Sequence, residues 1–269
     1  MPLAIHRVDS VQAAAKALAA GKATRFLGGG TLLVRGITSG TVAVDTLILS
    51  DGLGLDRIEV AADRVRIGAA VTMAKIAADP RLAFLTEVAQ SIGGPAVRAM
   101  ATVGGNLFAR SPYGDFAVAL LALGAEIDVE TSGGGETRPI ETFLAGRGRH
   151  APEIVRSVAF DLPPSGAFRF AKVVRKKPHG ASVLAIAALL PIESGKVVGA
   201  RVAYGAMAPT PIRARAVEAA LEGQAPDAAA VAAAVAVAAE GCAPENDPQA
   251  SAWYRLNVLP VHLKRLLAG

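Results

Sequence analysis

The sequence predicts an α+β protein in two parts, residues 1–163 and 164–269, on three observations. At 269 residues the chain exceeds the size that one hydrophobic core usually fills. Hydrophobic residues make up 52% and charged residues 19%, a balance that suits compact domains rather than a disordered chain. Finally, "DLPPSG" at 161–166 interrupts the chain with two prolines and a glycine, and beyond it strand-like segments precede helix-like ones.

The elements follow in order. Asp9-Ser10 before "VQAAAKALAAG" reads as a capped helix ending at Gly21. "TRFLGGG" reads as a short strand running into a turn. "TVAVDTLILSD" at 41–51 and "DRIEVAADRVRIGAAVT" at 56–72 are β-branched and partly alternating, hence strands joined by tight turns. Thr72 caps a short helix through Asp79, and Arg81 to Ile92 form a second that ends at Gly93-Gly94. Asp115 caps "FAVALLALG", which stops at Gly124, and "AEIDVETSGGGETRPIE" is a hairpin with a glycine-rich turn. After the break, "AFRFAKVVRKK" and "ASVLAIAALLPIESGKVVGARVAYGAMAP" give three or four strands, one with room for a helical turn. "PIRARAVEAALEG", "PDAAAVAAAVAVAAEG" and "WYRLNVLPVHLKRLLAG" are helices.

Composition narrows the chemistry. Phe, Trp and Tyr total only 4%, so the core is built from Ala, Val, Leu and Ile. The net charge of +5 permits an acidic partner surface, but the basic residues are dispersed and stacking aromatics are scarce, which argues against nucleic acid. The single cysteine, Cys242, excludes an internal disulfide and a cysteine-ligated cluster held by this chain alone. Asp9, Gln12 and Lys16 interrupt the apolar N-terminal stretch, so it does not read as a signal peptide. The alanine-valine run from Ala228 to Ala239 is short of the ~20 residues a membrane helix needs, and a cytoplasmic protein is expected. No G-x-S-x-G occurs, and His6, His150, His179 and His262 lack zinc-ligand spacing. "GRGRHA" at 146–151 has the letters of a dinucleotide fingerprint but no preceding strand, and Pro152 follows it.

Two glycine-rich stretches remain, "RFLGGGTLLVRG" at 25–36 and "MATVGGNLFARSPYGD" at 100–115. Consecutive glycines let backbone N–H groups converge on one point and let a ligand approach the chain closely. Diphosphate rewards this most, because its charge is spread over several oxygens. The first stretch lacks the Lys-Ser or Lys-Thr of a Walker A loop. Each stretch pairs glycines with a threonine between apolar segments, as at a sheet edge. Two such loops would clamp a diphosphate by their amide hydrogens, with Thr31, Thr102 and Asn106 adding side-chain hydrogen bonds.

Taken together, "GGGTLLV", "VRAMATVGGNL", "SPYGD" and "GAMAPTPIRARAVEAAL" resemble the FAD-binding medium subunit of molybdenum hydroxylases, the relatives of carbon monoxide dehydrogenase and xanthine dehydrogenase. The resemblance runs in order over nearly the whole chain. It implies a two-subdomain FAD-binding domain of the vanillyl-alcohol-oxidase (PCMH) type, with subdomains at about 1–55 and 56–163. A smaller α+β domain of the carbon monoxide dehydrogenase flavoprotein type would follow over 164–269. Carried over by motif, the backbone of Leu27, Gly28, Gly29, Gly30, Thr31 and Leu32 would cradle the diphosphate. Thr102, Val103, Gly104, Gly105 and Asn106 would hold it from the other side, with Ser111 of "SPYGD" also among the cofactor positions. Asp115 matches a carboxylate that meets a sugar hydroxyl. Ile92 falls where the family lays a bulky side chain near the flavin ring, and Val155 and Lys172 fall at further flavin contacts.

The resemblance also implies an electron-transfer subunit. Substrate oxidation at a molybdopterin cofactor on a large subunit would send electrons through [2Fe–2S] clusters on a small subunit to FAD on this chain and on to an external acceptor. The assembly implied is a dimer of heterotrimers. A flavin brings its own redox chemistry, so no catalytic acid or base is expected here. The chain departs from the family in Leu32 after the loop threonine, in Ala99 after Arg98, and in lacking an acidic residue in "KPHGASVLAIAA". Leu32 and Ala99 are the features that would favour an assembly subunit without FAD, and a stand-alone flavin oxidase would need a base that is not visible. Arg175-Lys176-Lys177 reads as a solvated loop or as a contact for an acidic partner such as the iron–sulfur subunit.

Overall fold

The structure, a computed structural model, describes residues 3–147, 152–177 and 179–269. His150 and most of the "GRGRHA" stretch lie outside the described residues. The N-terminal segment is a small parallel sheet, ordered β1-β3-β2, of β1 (Ala4–His6), β2 (Thr24–Leu27) and β3 (Thr46–Leu49). Helix α1 (Val11–Ala20) starts as expected, with the Ser10 hydroxyl accepting the Ala13 N–H at 3.1 Å. Its Ala14, Ala15 and Leu18 pack with Ile48 and Ile154, which fastens this segment to the next sheet. Helix α2 (Leu33–Thr38), absent from the sequence reading, follows the first glycine turn and has no buried residue.

The second segment carries a five-stranded antiparallel sheet, ordered β4-β5-β8-β6-β7. Its strands are β4 (Ile58–Ala61), β5 (Arg64–Gly68), β6 (Glu126–Thr131), β7 (Gly134–Pro139) and β8 (Glu153–Asp161). Alternation decides its two faces. Val65, Ile67, Ile127, Val129, Val158 and Phe160 are buried under helices. On the other face Arg64, Arg66 and Arg156 pair with Asp161, Asp128 and Glu130. Burial pushes the Asp128 carboxyl up, but hydrogen bonds from Thr137, Ser157 and Arg66 outweigh it and hold it below its ordinary value. The arginines of these pairs are about half exposed, so each pair adds little to stability.

The helices over this sheet are α3 (Met73–Ala78), α4 (Thr86–Gln90), α5 (Pro95–Met100), α6 (Val103–Leu107), α7 (Asp115–Ala122) and α8 (Ile140–Gly146). Thr72 caps α3 as expected. The single helix expected over 81–92 is instead a 3-10 turn, Pro80–Leu85, followed by α4, because Leu82 leaves helical geometry. "TVGGNL" is not a loop at a sheet edge. Thr102 caps α6, and both glycines lie inside that helix. Asp115 does not cap α7: Gly114, at φ 95°, occupies the N-cap and Asp115 is the first helical residue.

The third segment is a four-stranded antiparallel sheet, ordered β14-β13-β10-β9, of β9 (Phe168–Val174), β10 (Ser182–Leu189), β13 (Arg201–Gly205) and β14 (Ile212–Arg213). A two-stranded hairpin, β11 (Ile192–Glu193) and β12 (Lys196–Val197), interrupts it, and no helical turn occurs between β10 and β13. β10 is buried on both faces, and its alternation sorts them by size. Leu184 and Ile186 face α9 (Arg215–Leu221), α10 (Ala228–Ala236) and α11 (Ala252–Ala268), whereas Ala185 and Ala187 face the main core. The small residues are needed because α7 lies close: a Cβ on Gly205 would come 2.6 Å from Val118 Cγ2. α7, buried at every position, is therefore held between the second and third segments. Among the described residues no helix is long and apolar enough to cross a membrane.

Candidate functional site

The two glycine stretches meet. A Cβ on Gly29 would fall 1.7 Å from the Met100 carbonyl oxygen, and one on Gly28 would fall 3.1 Å from Thr102 Oγ1. Gly29 thus has to be glycine because the backbone before α6 presses directly on it, and Gly30 because its φ is +70°. Thr102 is the hinge of the arrangement. Its hydroxyl accepts the Gly105 N–H at 3.1 Å and also lies against Gly28.

The two stretches contribute unequally. In the first, the N–H groups of Gly28, Gly29, Gly30, Thr31 and Leu32 have no protein acceptor among the described residues. In the second, four of the five N–H groups of 102–106 are already used: Val103 donates to the Val71 carbonyl, Gly104 to the Ala69 carbonyl, Gly105 to Thr102 Oγ1 and Asn106 to the Thr102 carbonyl, and that of Thr102 has no protein acceptor among the described residues. The expectation of amide hydrogens from both stretches thus meets an uneven supply, a run of five on the first and, within 102–106, that of Thr102 on the second. The second stretch offers the Thr102 hydroxyl and the Asn106 side chain, and it holds the first in shape. Gly104 is required by packing, since its Cβ would fall 2.9 Å from Ala69 Cβ.

The remaining predicted residues divide between partly exposed and core positions. Leu27 ends β2, its carbonyl accepting the Ser50 N–H, and Leu32 is exposed at the start of α2. Ile92 is half-buried against the main core, in a turn stapled by the Arg98 guanidinium on the Gln90 and Gly93 carbonyls. Ser111 lies in the half-exposed loop before α7. Val155 is 3% exposed, within the main core.

Asp115 and Lys172 come together. Lys172 Nζ reaches Asp115 Oδ2 at 2.7 Å and the Ser91 carbonyl at 2.9 Å. The other Asp115 oxygen accepts the Ser182 hydroxyl at 2.5 Å. Both carboxylate oxygens thus face protein donors, beside the Ile92 turn. The next residue, Phe116, donates its N–H to Asn106 Oδ1 at 3.2 Å, which ties α7 to α6.

Sequence reasoning missed Ser182, Arg35 and Tyr113. Ser182 is the one polar residue of "SVLAIAAL", and a hydroxyl in an otherwise apolar buried strand was the available signal. The Arg35 guanidinium lies 5.5 Å from the centre of the Tyr113 ring, so α2 and the "SPYGD" loop face each other across the groove. That contact joins residues far apart in sequence and left no local signal. Among the described residues no His, Cys, Asp and Glu cluster is placed to hold a metal. Burial pushes the Cys242 thiol up to about 11, as for a packing residue rather than a nucleophile.

A run of unpaired N–H groups, closed on one side by a backbone that tolerates no side chain at Gly29, fits a diphosphate, and with it a dinucleotide such as FAD. Comparison with known proteins agrees. Residues 1–163 match the family described as FAD binding domain in molybdopterin dehydrogenase, and residues 168–269 match the CO dehydrogenase flavoprotein C-terminal domain. The carbon monoxide dehydrogenase medium chain of Afipia carboxidovorans is 29% identical over 270 residues, covering 97% of this chain and 93% of that one. The xanthine dehydrogenase FAD-binding subunit of Escherichia coli O157:H7 is 28% identical over 216 residues, 76% of this chain and 73% of that one. Among solved structures, the reconstituted CO dehydrogenase from Oligotropha carboxidovorans superposes with a TM-score of 0.92 at 26% identity, covering 100% of this chain and 97% of that chain. The chain therefore belongs to the FAD-binding domain family of molybdopterin dehydrogenases, with the PCMH-type fold and the flavoprotein C-terminal domain of that group, and is an FAD-dependent oxidoreductase subunit of the molybdenum hydroxylase type.

Proposed function

We propose that this chain is the electron-transfer subunit of a cytoplasmic three-subunit molybdenum hydroxylase, assembled as a dimer of heterotrimers. It receives electrons from [2Fe–2S] clusters on a small partner and passes them to an external acceptor, while a large partner carries the molybdopterin cofactor and the substrate pocket. Bound FAD supplies the redox chemistry. The protein's part is to bind and orient it. In this reading 1–55 and 56–163 are the two flavin-binding subdomains and 164–269 contributes Lys172 near the ring. The free N–H groups from Gly28 to Leu32 take the diphosphate, and Thr102 and Asn106 add side-chain hydrogen bonds. Ile92 and Lys172 serve the ring. The exposed Lys176 and Lys177 meet an acidic face of the iron–sulfur partner, whereas Arg175 is already tied to the Pro248 carbonyl at 2.8 Å.

The contact of Gly29 with the Met100 carbonyl carries this reading, because it sets the free N–H run against the Thr102 hinge. The test is the visible spectrum and partner content of the chain purified from its natural source. Expected are a flavin band near ~450 nm, stoichiometric FAD and two co-purifying chains, one rich in cysteine. A folded, colourless chain that takes up no added FAD would instead mark an assembly subunit.

A further inference from the structure

The buried pair of Lys172 and Asp115 supports an inference that deepens the flavin-subunit reading and rests on it. An ammonium group has three N–H donors. Lys172 gives one to Asp115 and one to the Ser91 carbonyl, and among the described residues nothing accepts the third. Ser91 immediately precedes Ile92, the residue that the flavin reading assigns to the ring, so the spare donor sits beside that position.

Asp115 is engaged on both of its oxygens. It is 6% exposed, and each oxygen already faces a donor, Lys172 on one side and Ser182 on the other. Ser182 is 1% exposed, and its backbone N–H also reaches the Pro112 carbonyl at 3.2 Å. The register between β9 and β10 shifts between Ser182 and Leu184, which lets the start of β10 turn toward α7. A carboxylate at position 182 would set two negative charges against each other and compete for the single lysine. A hydroxyl donates to Asp115 and leaves the lysine where it is.

We propose that Ser182 and Asp115 are positioning residues that hold the Lys172 ammonium beside Ser91 with one N–H left for the bound flavin. The third segment of the chain thereby sets the flavin's reduction potential through Ser182, a residue that does not touch the flavin. The physical basis is charge. A flavin gains negative charge on reduction, so a fixed neighbouring cation binds the reduced form more tightly than the oxidised form.

The test uses the full chain loaded with FAD, in wild type and in Lys172→Met, Ser182→Ala and Ser182→Thr, with folding checked by circular dichroism. The readouts are the flavin midpoint potential and the Kd for oxidised FAD. Lys172→Met is expected to lower the potential. Ser182→Ala is expected to lower it in the same direction, with reduced FAD losing about tenfold more affinity than oxidised FAD, about 30 mV for a two-electron couple. Ser182→Thr keeps the hydroxyl and should restore the wild-type value. A wild-type potential in Ser182→Ala beside a lowered one in Lys172→Met would overturn the role of Ser182. An unchanged potential in Lys172→Met would overturn the role of the cation. Should Ser182→Ala fail to fold, Ser182→Cys, close in size and a much weaker donor to Asp115, carries the same prediction of a lowered potential. Failure of the wild-type chain to bind FAD would sink the flavin reading itself, a result separable from both.

Discussion

Gly29→Ala is the sharpest perturbation of the site, because it adds one carbon where two backbones touch. The new Cβ would lie 1.7 Å from the Met100 oxygen and 2.6 Å from its carbonyl carbon, whereas ordinary contact begins at 3.4 Å. Backbone cannot yield as a side chain can, so the two stretches must part by about 1.7 Å. A displacement of that size exceeds the tolerance of a hydrogen bond at the diphosphate. If two charge-assisted bonds are lost, at about 1.5–3 kcal/mol each, FAD binding weakens by about 3–6 kcal/mol, or roughly 10²–10⁴-fold in Kd. The assay is titration of apoprotein with FAD followed by flavin fluorescence, with Gly133→Ala as control. Gly133 sits in the β6–β7 turn, where the nearest atom to a new Cβ, Thr131 Oγ1, is 3.7 Å away, and its Kd should match wild type. A folded Gly29→Ala protein that binds FAD with wild-type affinity would refute the convergence of the two stretches on the cofactor.

Three further outcomes are expected. Gly104→Ala should cost about 1–3 kcal/mol in urea unfolding through overpacking against Ala69, since no N–H available to ligand is lost there. Arg255, 1% exposed, donates to Asp247 at 2.8 Å, to the Val183 carbonyl at 2.9 Å and to the Ala250 carbonyl at 3.1 Å. Arg255→Met strands these acceptors and should cost about 3–5 kcal/mol, with melting lowered by about 10 °C. Burial, and then the charge of Arg265, holds the His262 imidazole below its ordinary 6.5. The unfolded chain therefore binds the proton more readily, and stability falls as pH drops below about 6.5. Melts across that range should show the acid-side loss in wild type and a smaller one in His262→Gln.

The sequence revealed elements wherever a local signal was strong. Ser10 and Thr72 are caps in the structure as in the reading, and the hairpin of β6 and β7 lies where its turn residues placed it. The short helices α2, α5 and α6 were illegible for a physical reason. Each spans one or two turns, too few residues for periodicity to show, and "VGGNL" has poor intrinsic helix propensity. α6 exists because Thr102 caps it, Val103 and Leu107 are fully buried, and Gly104 fits against Ala69. The glycines were legible as a close approach of backbones. That the approach is of chain to chain at Gly29 and Gly104, with the run of free N–H groups on the first stretch, depends on tertiary contacts.

The distribution of buried polar groups argues that this junction was shaped for more than stability. Thr102, Asn106, Asp115 and Ser182 are all buried, and they form a single string: Thr102 caps α6, Asn106 binds the start of α7, Asp115 follows Gly114 there, and Ser182 meets it from β10. Burying such groups costs free energy that apolar residues would not incur. Two oppositely charged groups at the domain junction are weak evidence of stabilisation in themselves. Arg255 and Glu218, by contrast, are buried polar groups that fasten elements within the third segment, and each meets several protein partners. The junction string differs at its ends. Lys172 keeps an N–H without an acceptor among the described residues, and across Thr102 the amides from Gly28 to Leu32 do the same. A network evolved to hold domains together would close on itself. This one leaves donors open at both of its ends, as a ligand with a diphosphate at one end and a polar ring at the other would require.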